Sequence, residues 1–336
     1  MPSLERGSNR IVIAGASSLL GAELRSLLEE SRFAGADFRL VDEELAAGTL
    51  TEAGGEPAVI QPVEEGSFDK ARIIFFTGSS DFTLANFETA SRSGTVIIDL
   101  SGHSVSLENT FVWYPGFEKL SGQTFPEKPH LAAVLSAAAE GIVRLSHALR
   151  ELGIKHMAVI VLQPVSAAGK GGIEELETQT KQLLSFQTPG KELFDAHVAF
   201  NSLDRYGPQS RFDLNHAQLT LRNEISACLR NEVVLPTVQL VHVPVFYGVT
   251  FAACAKLDDG VDKERISCAC QRGGFAILDE SGIGPSNISA AGETVIQLSK
   301  PKADQLQPGS WWFWGAADNI RLPAWNAVKL AEKLVP

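Results

Sequence analysis

The sequence predicts an α/β protein, a doubly wound parallel sheet followed by an α+β region, and three observations carry that reading. From Ile11 to about Leu100, short β-branched or aromatic runs alternate with helical stretches, the pattern of successive βαβ units. Two of the runs, 72–78 (RIIFFTG) and 95–102 (TVIIDLSG), are nearly continuously apolar, as strands covered on both faces are. The turn Gly15-Ala16-Ser17-Ser18-Leu19-Leu20-Gly21 follows the first run and opens a helix, the Rossmann-type arrangement in which turn and helix N–H groups can receive a pyrophosphate. Ser18 stands where the full fingerprint has a third glycine, and glycines that merely permit a tight turn and close packing explain the same pattern.

The elements follow in order. Strands are expected at Arg10–Ala14, Phe38–Val41, Ala71–Phe76 and Thr95–Asp99. The first helix carries Leu20, Leu24, Leu27 and Leu28 on one face, and a second, Phe82–Ser93, stops at Gly94. Residues 101–129, with Pro115, Pro126 and Pro129, read as an irregular connection between domains. Then come a helix from Ser136 to Leu152, a strand Lys155–Gln163, a Gly-rich loop AAGKGG and a helix Ile173–Ser185. Beyond Pro189 a helix near Leu214–Arg230 precedes strands at Thr237–Tyr247, Gly248–Ala255 and Ala276–Leu278, and the end is a strand with an amphipathic helix carrying Val328, Leu330, Ala331 and Leu334. The expected domains are 1–131 with 317–336, and 132–316.

Composition bounds the function. The 336 residues, 44% hydrophobic and 21% charged, suffice for a sizeable core and exclude a disordered chain. A net charge of −11 argues against nucleic acid or anionic membrane as the main partner. The apolar N-terminal stretch reads as strand and helix rather than a secretory leader, no run reaches the roughly 18 residues of a membrane span, and a cytoplasmic protein is expected. Four cysteines, Cys228, Cys254, Cys268 and Cys270, have no CxxC pairing or matching His spacing, so no disulfide framework and no metal site is expected. Cys268 and Cys270, two apart, would share one face of a strand, most simply as core. The first two thirds of the chain hold no thiol.

Read together, the opening turn, FFTGSS, VIIDLSG, QPVSAAGKGGIEEL, HVAFN, HVPVFYG and the closing AADNIR with NAVKLAEKL resemble the aspartate-semialdehyde dehydrogenase family, in order and at similar spacing over the whole chain. The resemblance implies a nucleotide-binding domain completed by the C-terminal helix, and a central α+β domain for catalysis and dimerisation. It also implies reduction of aspartyl phosphate with NADPH through a cysteine thiolate, a histidine acid/base, two arginines for the substrate's oxyanions and a glutamine for the acyl group.

Set against that pattern, the chain keeps the glutamine, Gln163, and loses the rest. The cysteine position at the start of the 136–152 helix is Ala137, with Ser136 the one hydroxyl beside it. The histidine position is Val249, and the two arginine positions are His242 and Val105. His242 reads either as an anion-binding imidazole or as a strand histidine paired with a neighbour. Gly15, Ser17, Ser18, Gly21, Gly78, Ser79, Ser80, Gly169 and Asn319 sit where the family approaches its cofactor. Leu45 and Ala46 replace the pair that holds the 2′-phosphate of NADP, while Asp42, Glu43 and Glu44 would repel that phosphate. NAD is therefore favoured over NADP, with a vestigial pocket and a merely solvated acidic turn as the alternatives. The expectation is a homodimer with a nucleotide or other small-molecule ligand, non-catalytic for the family reaction. The alternative is an active NAD(P)-dependent enzyme using Ser136 or a route with no covalent step.

Overall fold

The computed structural model describes residues 9–127, 129–229, 234–279 and 282–335. It divides into two compact units, one of residues 1–115, 125–135 and 323–336, the other of 116–124 and 136–322.

The first unit is built on β1 (Arg10–Ala14), α1 (Leu19–Glu29), β2 (Asp37–Asp42), β3 (Leu50–Ala53), β4 (Glu56–Val59), β5 (Gln61–Pro62), β6 (Ala71–Phe76), α2 (Ser80–Ser91), β7 (Val96–Asp99), β8 (Phe111–Trp113) and β9 (Leu131–Val134). Seven strands form one parallel sheet in the order β5-β2-β1-β6-β7-β9-β8. The order reverses between β2 and β6 around β1, so the carboxyl ends of β1 and β6 flank the switch point where such sheets receive ligands. Val12, Ala14, Val41, Ile74 and Phe76 form a dry core with Phe68 and Phe82. The continuous apolar runs are strands because both their faces are buried.

Two features of this unit depart from expectation. Within the connection 101–129, Phe111–Trp113 extends the sheet and Phe117–Ser121 forms a short helix, α3, which belongs to the second unit. Residues 50–59 form an isolated two-stranded hairpin, β3–β4, whose Gly54-Gly55 turn takes positive φ at both glycines.

The second unit continues with α4 (Ala137–Arg150), β10 (His156–Gln163), α5 (Gly169–Leu184), α6 (Leu214–Leu229), β11 (Thr237–His242), β12 (Val249–Lys256), α7 (Lys263–Arg272), β13 (Ala276–Leu278), β14 (Gln297–Ser299), β15 (Lys302–Ala303) and β16 (Ser310–Ala317). α8 (Arg321–Leu334) runs from it into the first unit. The sheet order is β11-β10-β12-β16-β14-β13, with β15 also on β16. α4 packs on one face of β12 and β16, and the Phe251 ring fills the space that glycines leave at Gly141 and Gly315.

Three local expectations are corrected here. Cys268 and Cys270 lie on helix α7, not on a strand; a two-residue step on a helix turns to the opposite side, so Cys268 is exposed and Cys270 buried. The strand expected to reach Tyr247 ends at His242, because Pro244 cannot donate to a ladder and Gly248 takes φ +83°. The Gly-rich stretch is mostly the first turn of α5, which begins at Gly169. The helix expected to reach Arg230 is described to Leu229; Arg230 lies outside the described residues.

The 29 residues between α5 and α6 carry no helix or named strand, yet their backbone is pinned by side chains of α5. The buried Gln179 amide accepts from Val198 N (2.8 Å) and Ala199 N (3.2 Å) and donates to the carbonyls of Gly190 (2.8 Å) and Ala196 (3.0 Å). One turn earlier, Glu175 accepts from the N–H groups of Leu193 and Phe194. These bonds replace the ladder that a strand would have supplied.

Candidate functional site

In the first unit the turn after β1 is locked against the turn after β6. Gly15 has φ +91°, and a methyl there would lie 2.2 Å from the Gly78 nitrogen; one on Gly21 would lie 2.6 Å from the Gly15 carbonyl oxygen. Most of the turn's donors are used inside the protein. Gly15 N and Ala16 N donate to Val41 O, Ser18 N to Gly15 O, and Gly21 N to Ser18 Oγ. Ser18 Oγ in turn donates to Thr77 O at 2.8 Å, so the residue in place of the third glycine caps α1 and ties the two turns together. Leu19 N and Leu20 N keep no partner among the described residues, the usual state of a first helical turn and the donors left for an anion.

Asp42, at the end of β2, is buried and already engaged. Its Oδ2 accepts from Ser17 N at 2.7 Å and its Oδ1 from Glu43 N at 2.8 Å. The carboxylate thus stands beside the turn after β1 and ties it to the end of β2. Leu45 is fully exposed and contributes no cation. Ser79 caps α2 by accepting from Phe82 N at 3.0 Å. Val105 is buried in a short 3₁₀ turn, where Asp99 holds the preceding loop through the N–H and hydroxyl groups of Ser101 and Ser104.

In the second unit Ala137 is the first residue of α4 and only 2% exposed, so the position holds a packed methyl. The helix N-terminus is occupied from within. Ser136 Oγ caps it by accepting from Ala139 N (3.3 Å) and donates to Glu224 Oε2 at 2.6 Å, while Ser136 N donates to Glu224 Oε1 at 2.8 Å. Glu224 is buried on α6, and sequence reasoning missed it. The signal was an acidic residue on the buried face marked by Leu221, Ile225 and Cys228.

Val249, 3% exposed, opens β12 and pairs with Ala317. His242 ends β11, beside Gln163 in the β10–β11 register, and is fully buried. Its Nε2 donates to Val198 O (3.3 Å), which leaves Nδ1 to accept from the Tyr206 hydroxyl (3.0 Å). Burial holds this imidazole below its ordinary pKa and pushes the Tyr206 phenol up. A paired bridge to Leu203 and the rings of Phe194 and Tyr206 complete its surroundings, so His242 fastens β11 to the 186–212 segment rather than presenting a cation. Asn319 links two loops, accepting from Gly248 N at 2.8 Å and donating to Ser166 Oγ at 3.0 Å. Gly169 takes φ +72° at the start of α5. The Gln163 amide makes no side-chain hydrogen bond among the described residues.

The residues singled out from the sequence thus fall in two groups. Gly15, Ser17, Ser18, Gly21, Gly78, Ser79 and Val105 belong to the first unit; Ala137, Gln163, Gly169, His242, Val249 and Asn319 belong to the second. Among the described residues no cluster of three or more His, Cys, Asp or Glu could hold a metal, and no helix is long and apolar enough to cross a membrane.

A parallel sheet with a glycine turn at its switch point is the architecture of a Rossmann-type dinucleotide-binding fold. Comparison with known proteins narrows this. The model described as "Semialdehyde dehydrogenase, NAD binding domain" matches residues 10–112, and "Semialdehyde dehydrogenase, dimerisation domain" matches residues 145–322. The chain belongs to the semialdehyde dehydrogenase family. It is 27% identical over 331 residues to a USG-1 protein homolog of Azotobacter vinelandii, covering 97% of each chain. It is 24% identical over 327 residues to aspartate-semialdehyde dehydrogenase 2 of Vibrio cholerae, again covering 97% of each. In fold it matches the crystal structure of aspartate semialdehyde dehydrogenase II from Vibrio cholerae, with a TM-score of 0.84, 24% identity and coverage of 97% of this chain and 98% of that one.

Proposed function

We propose that this chain is a non-catalytic paralogue within its family, a homodimer that keeps a nucleotide-binding turn and serves binding or regulation. The observation that carries the reading is Ala137. The family reaction starts with attack by a thiolate at the head of this helix, and a methyl group has no lone pair to donate. The acid/base position is the buried Val249, and the oxyanion positions are the buried Val105 and a His242 committed to internal hydrogen bonds. Loss of a nucleophile alone lowers kcat by about a million-fold in a measured protease case.

A dinucleotide bound to the turn would rest its phosphates on Leu19 N and Leu20 N, with Asp42 positioned to accept from a ribose hydroxyl. NAD fits that arrangement better than NADP. When bound, the nucleotide would supply hydride-transfer capacity, but the positions expected to hold an acyl group offer only the Gln163 amide. The ligand role is therefore binding rather than turnover, in the cytoplasm.

One observation favours the competing reading of an active enzyme: Ser136 has a carboxylate, Glu224, at 2.6 Å. That carboxylate also accepts the Ser136 N–H, and the serine oxygen is occupied as a helix cap. The pair is better explained as a cap than as nucleophile and base. The deciding experiment is phosphate-dependent reduction of NAD or NADP by aspartate semialdehyde. Turnover comparable to an authentic family enzyme overturns the non-catalytic reading.

A further inference from the structure

Between β2 and β6 the first unit makes an excursion whose surface runs against the usual division of apolar and polar side chains. Residues 42–69 carry eight acidic side chains and no basic one, so this stretch supplies most of the net charge of −11. All of the eight except the buried Asp42 are exposed. Within that acidic surround lie three large apolar side chains open to solvent: Leu45 is 98%, Leu50 77% and Val59 48% exposed.

The hairpin register explains how two of these come together. β3 and β4 pair Leu50 with Val59, Thr51 with Ala58 and Glu52 with Pro57, so Leu50, Val59, Glu52 and Pro57 share one face of the ribbon. Those four are exposed, whereas Thr51, Ala53 and Ala58 on the other face are half-buried. An outward sheet face normally carries the polar residues; here a leucine and a valine sit side by side on it. A lone exposed leucine needs no explanation, but a cross-strand apolar pair turned outward on an isolated two-stranded ribbon does. The ribbon is also held in place. Gly48 N donates to Ile60 O (2.9 Å) and Ile60 N to Thr49 O (3.1 Å), with the Ile60 side chain buried at the base. At the tip, Gly54 N donates to Glu29 Oε1 of α1 at 2.8 Å. A methyl added at Gly48, Gly54 or Gly55 would meet nothing within 4 Å, so the ribbon borders open space.

We infer that the outer face of the β3–β4 ribbon docks a basic, apolar-faced segment of another protein, with Leu50 and Val59 as the apolar contact and the surrounding carboxylates as the electrostatic guide. Charge decides the occupant. A second copy would bring the same carboxylates against themselves, and nucleic acid or an anionic lipid surface would be repelled in the same way. A small molecule needs a concave site, which an open ribbon does not offer. A cationic segment with an apolar face meets both features at once: its apolar side chains cover Leu50 and Val59, and its cations face the glutamates around them. Because the ribbon is already fixed at base and tip, little ordering cost falls on this side of the contact. The inference goes beyond the non-catalytic reading and stands whether or not the chain turns over a substrate.

The test is fluorescence anisotropy of a labelled amphipathic peptide of Leu and Lys titrated with the full chain, beside its Leu/Glu counterpart and oligolysine. The Leu/Lys peptide should bind at least about tenfold more tightly than either, since only it carries both the apolar anchor and the complementary charge. Leu50→Ser/Val59→Ser removes the apolar contact and keeps the charge; Glu44→Gln/Glu52→Gln/Glu56→Gln does the reverse. Each should weaken binding by about tenfold or more, and only the glutamine variant should also flatten its salt dependence. Both variants are checked for a native circular dichroism spectrum. Hydrogen exchange of the unsubstituted chain locates the contact without a variant: the peptide should slow the amides of residues 49–60 more than those elsewhere. Absence of Leu/Lys peptide binding, parental affinity in both variants, or protection confined to another surface overturns the inference. So does a change of oligomeric state in Leu50→Ser/Val59→Ser by sedimentation equilibrium, which would assign the ribbon to a second copy.

Discussion

The Ser136 hydroxyl donates to the Glu224 carboxylate across 2.6 Å at the first turn of α4, so the helix terminus that would lower a thiol's pKa has a negative charge as its neighbour. On the proposed non-catalytic reading, the change at Ala137 is therefore more than a single missing atom. With Ala137→Cys, the helix terminus and the Glu224 carboxylate act in opposite directions on the new thiol, and its pKa is expected at or above the ordinary value of about 8.5. Alkylation at that site followed by mass spectrometry across pH 6 to 10 measures it directly. The variant is expected to show no phosphate-dependent dehydrogenase activity, because Val249 and Val105 remain. Recovery of activity from this one change would mean that acid/base and oxyanion groups exist elsewhere.

Glu224 should matter to stability for the same reason. Glu224→Ala leaves Ser136 N without its acceptor in a half-buried setting. A charged hydrogen bond of this kind contributes about 1.5–3 kcal/mol, and the variant should lose stability on that order in urea denaturation. Ser136→Ala should cost about 1 kcal/mol, the usual effect of removing an N-cap. A null effect for both would mean that the cap has no role in holding α4.

Asp42 makes the nucleotide preference testable. NAD should raise the melting temperature of the protein more than NADP at equal concentration, because stabilisation by a ligand grows with concentration over Kd. Asp42→Ser removes the charge beside the 2′ position and should narrow the difference between the two. If neither nucleotide raises the melting temperature at millimolar concentration, the turn is vestigial and its glycines serve packing alone.

Gln179 shows where the sequence was silent. The parallel sheet was legible because its strands are continuous apolar runs, and the turn because Gly15 and Gly21 sit at a strand-to-helix junction. The 186–212 segment has no comparable periodicity, since one amide on a neighbouring helix, rather than a repeating pattern of its own, organises it. Glu224 and Tyr206 were illegible on the same ground: each acts through a contact distant in sequence. Cys268 and Cys270 were misplaced because two residues of like type, two apart, do not distinguish a strand from a helix. Gln179→Leu strands two buried N–H groups and two carbonyls, and should cost about 3 kcal/mol or more at about 1–3 kcal/mol per unsatisfied group. Faster proteolysis confined to 186–212 would localise the loss.

The pH dependence of stability should be governed in part by His147, a buried residue of α4 with neither ring nitrogen hydrogen-bonded among the described residues. Burial, reinforced by Arg150, pulls its pKa down from 6.5 to about 4. The folded protein therefore resists protonation while the unfolded chain accepts a proton near pH 6.5. The unfolded state binds more protons between those values, so stability falls as pH drops from about 6.5 to about 4 and levels off below. The shift corresponds to a loss on the order of 3 kcal/mol over that window. His242, whose pKa burial also lowers, adds to it in the same direction. His147→Leu removes the titration and the unpartnered nitrogens together, so the variant should be more stable than the parent at pH 5 and flatten the profile. Urea midpoints measured at half-unit intervals from pH 4 to 8 decide it: a parent profile with no decline below pH 6.5, or a variant with the parent's slope, would show that His147 finds a proton partner in the folded state.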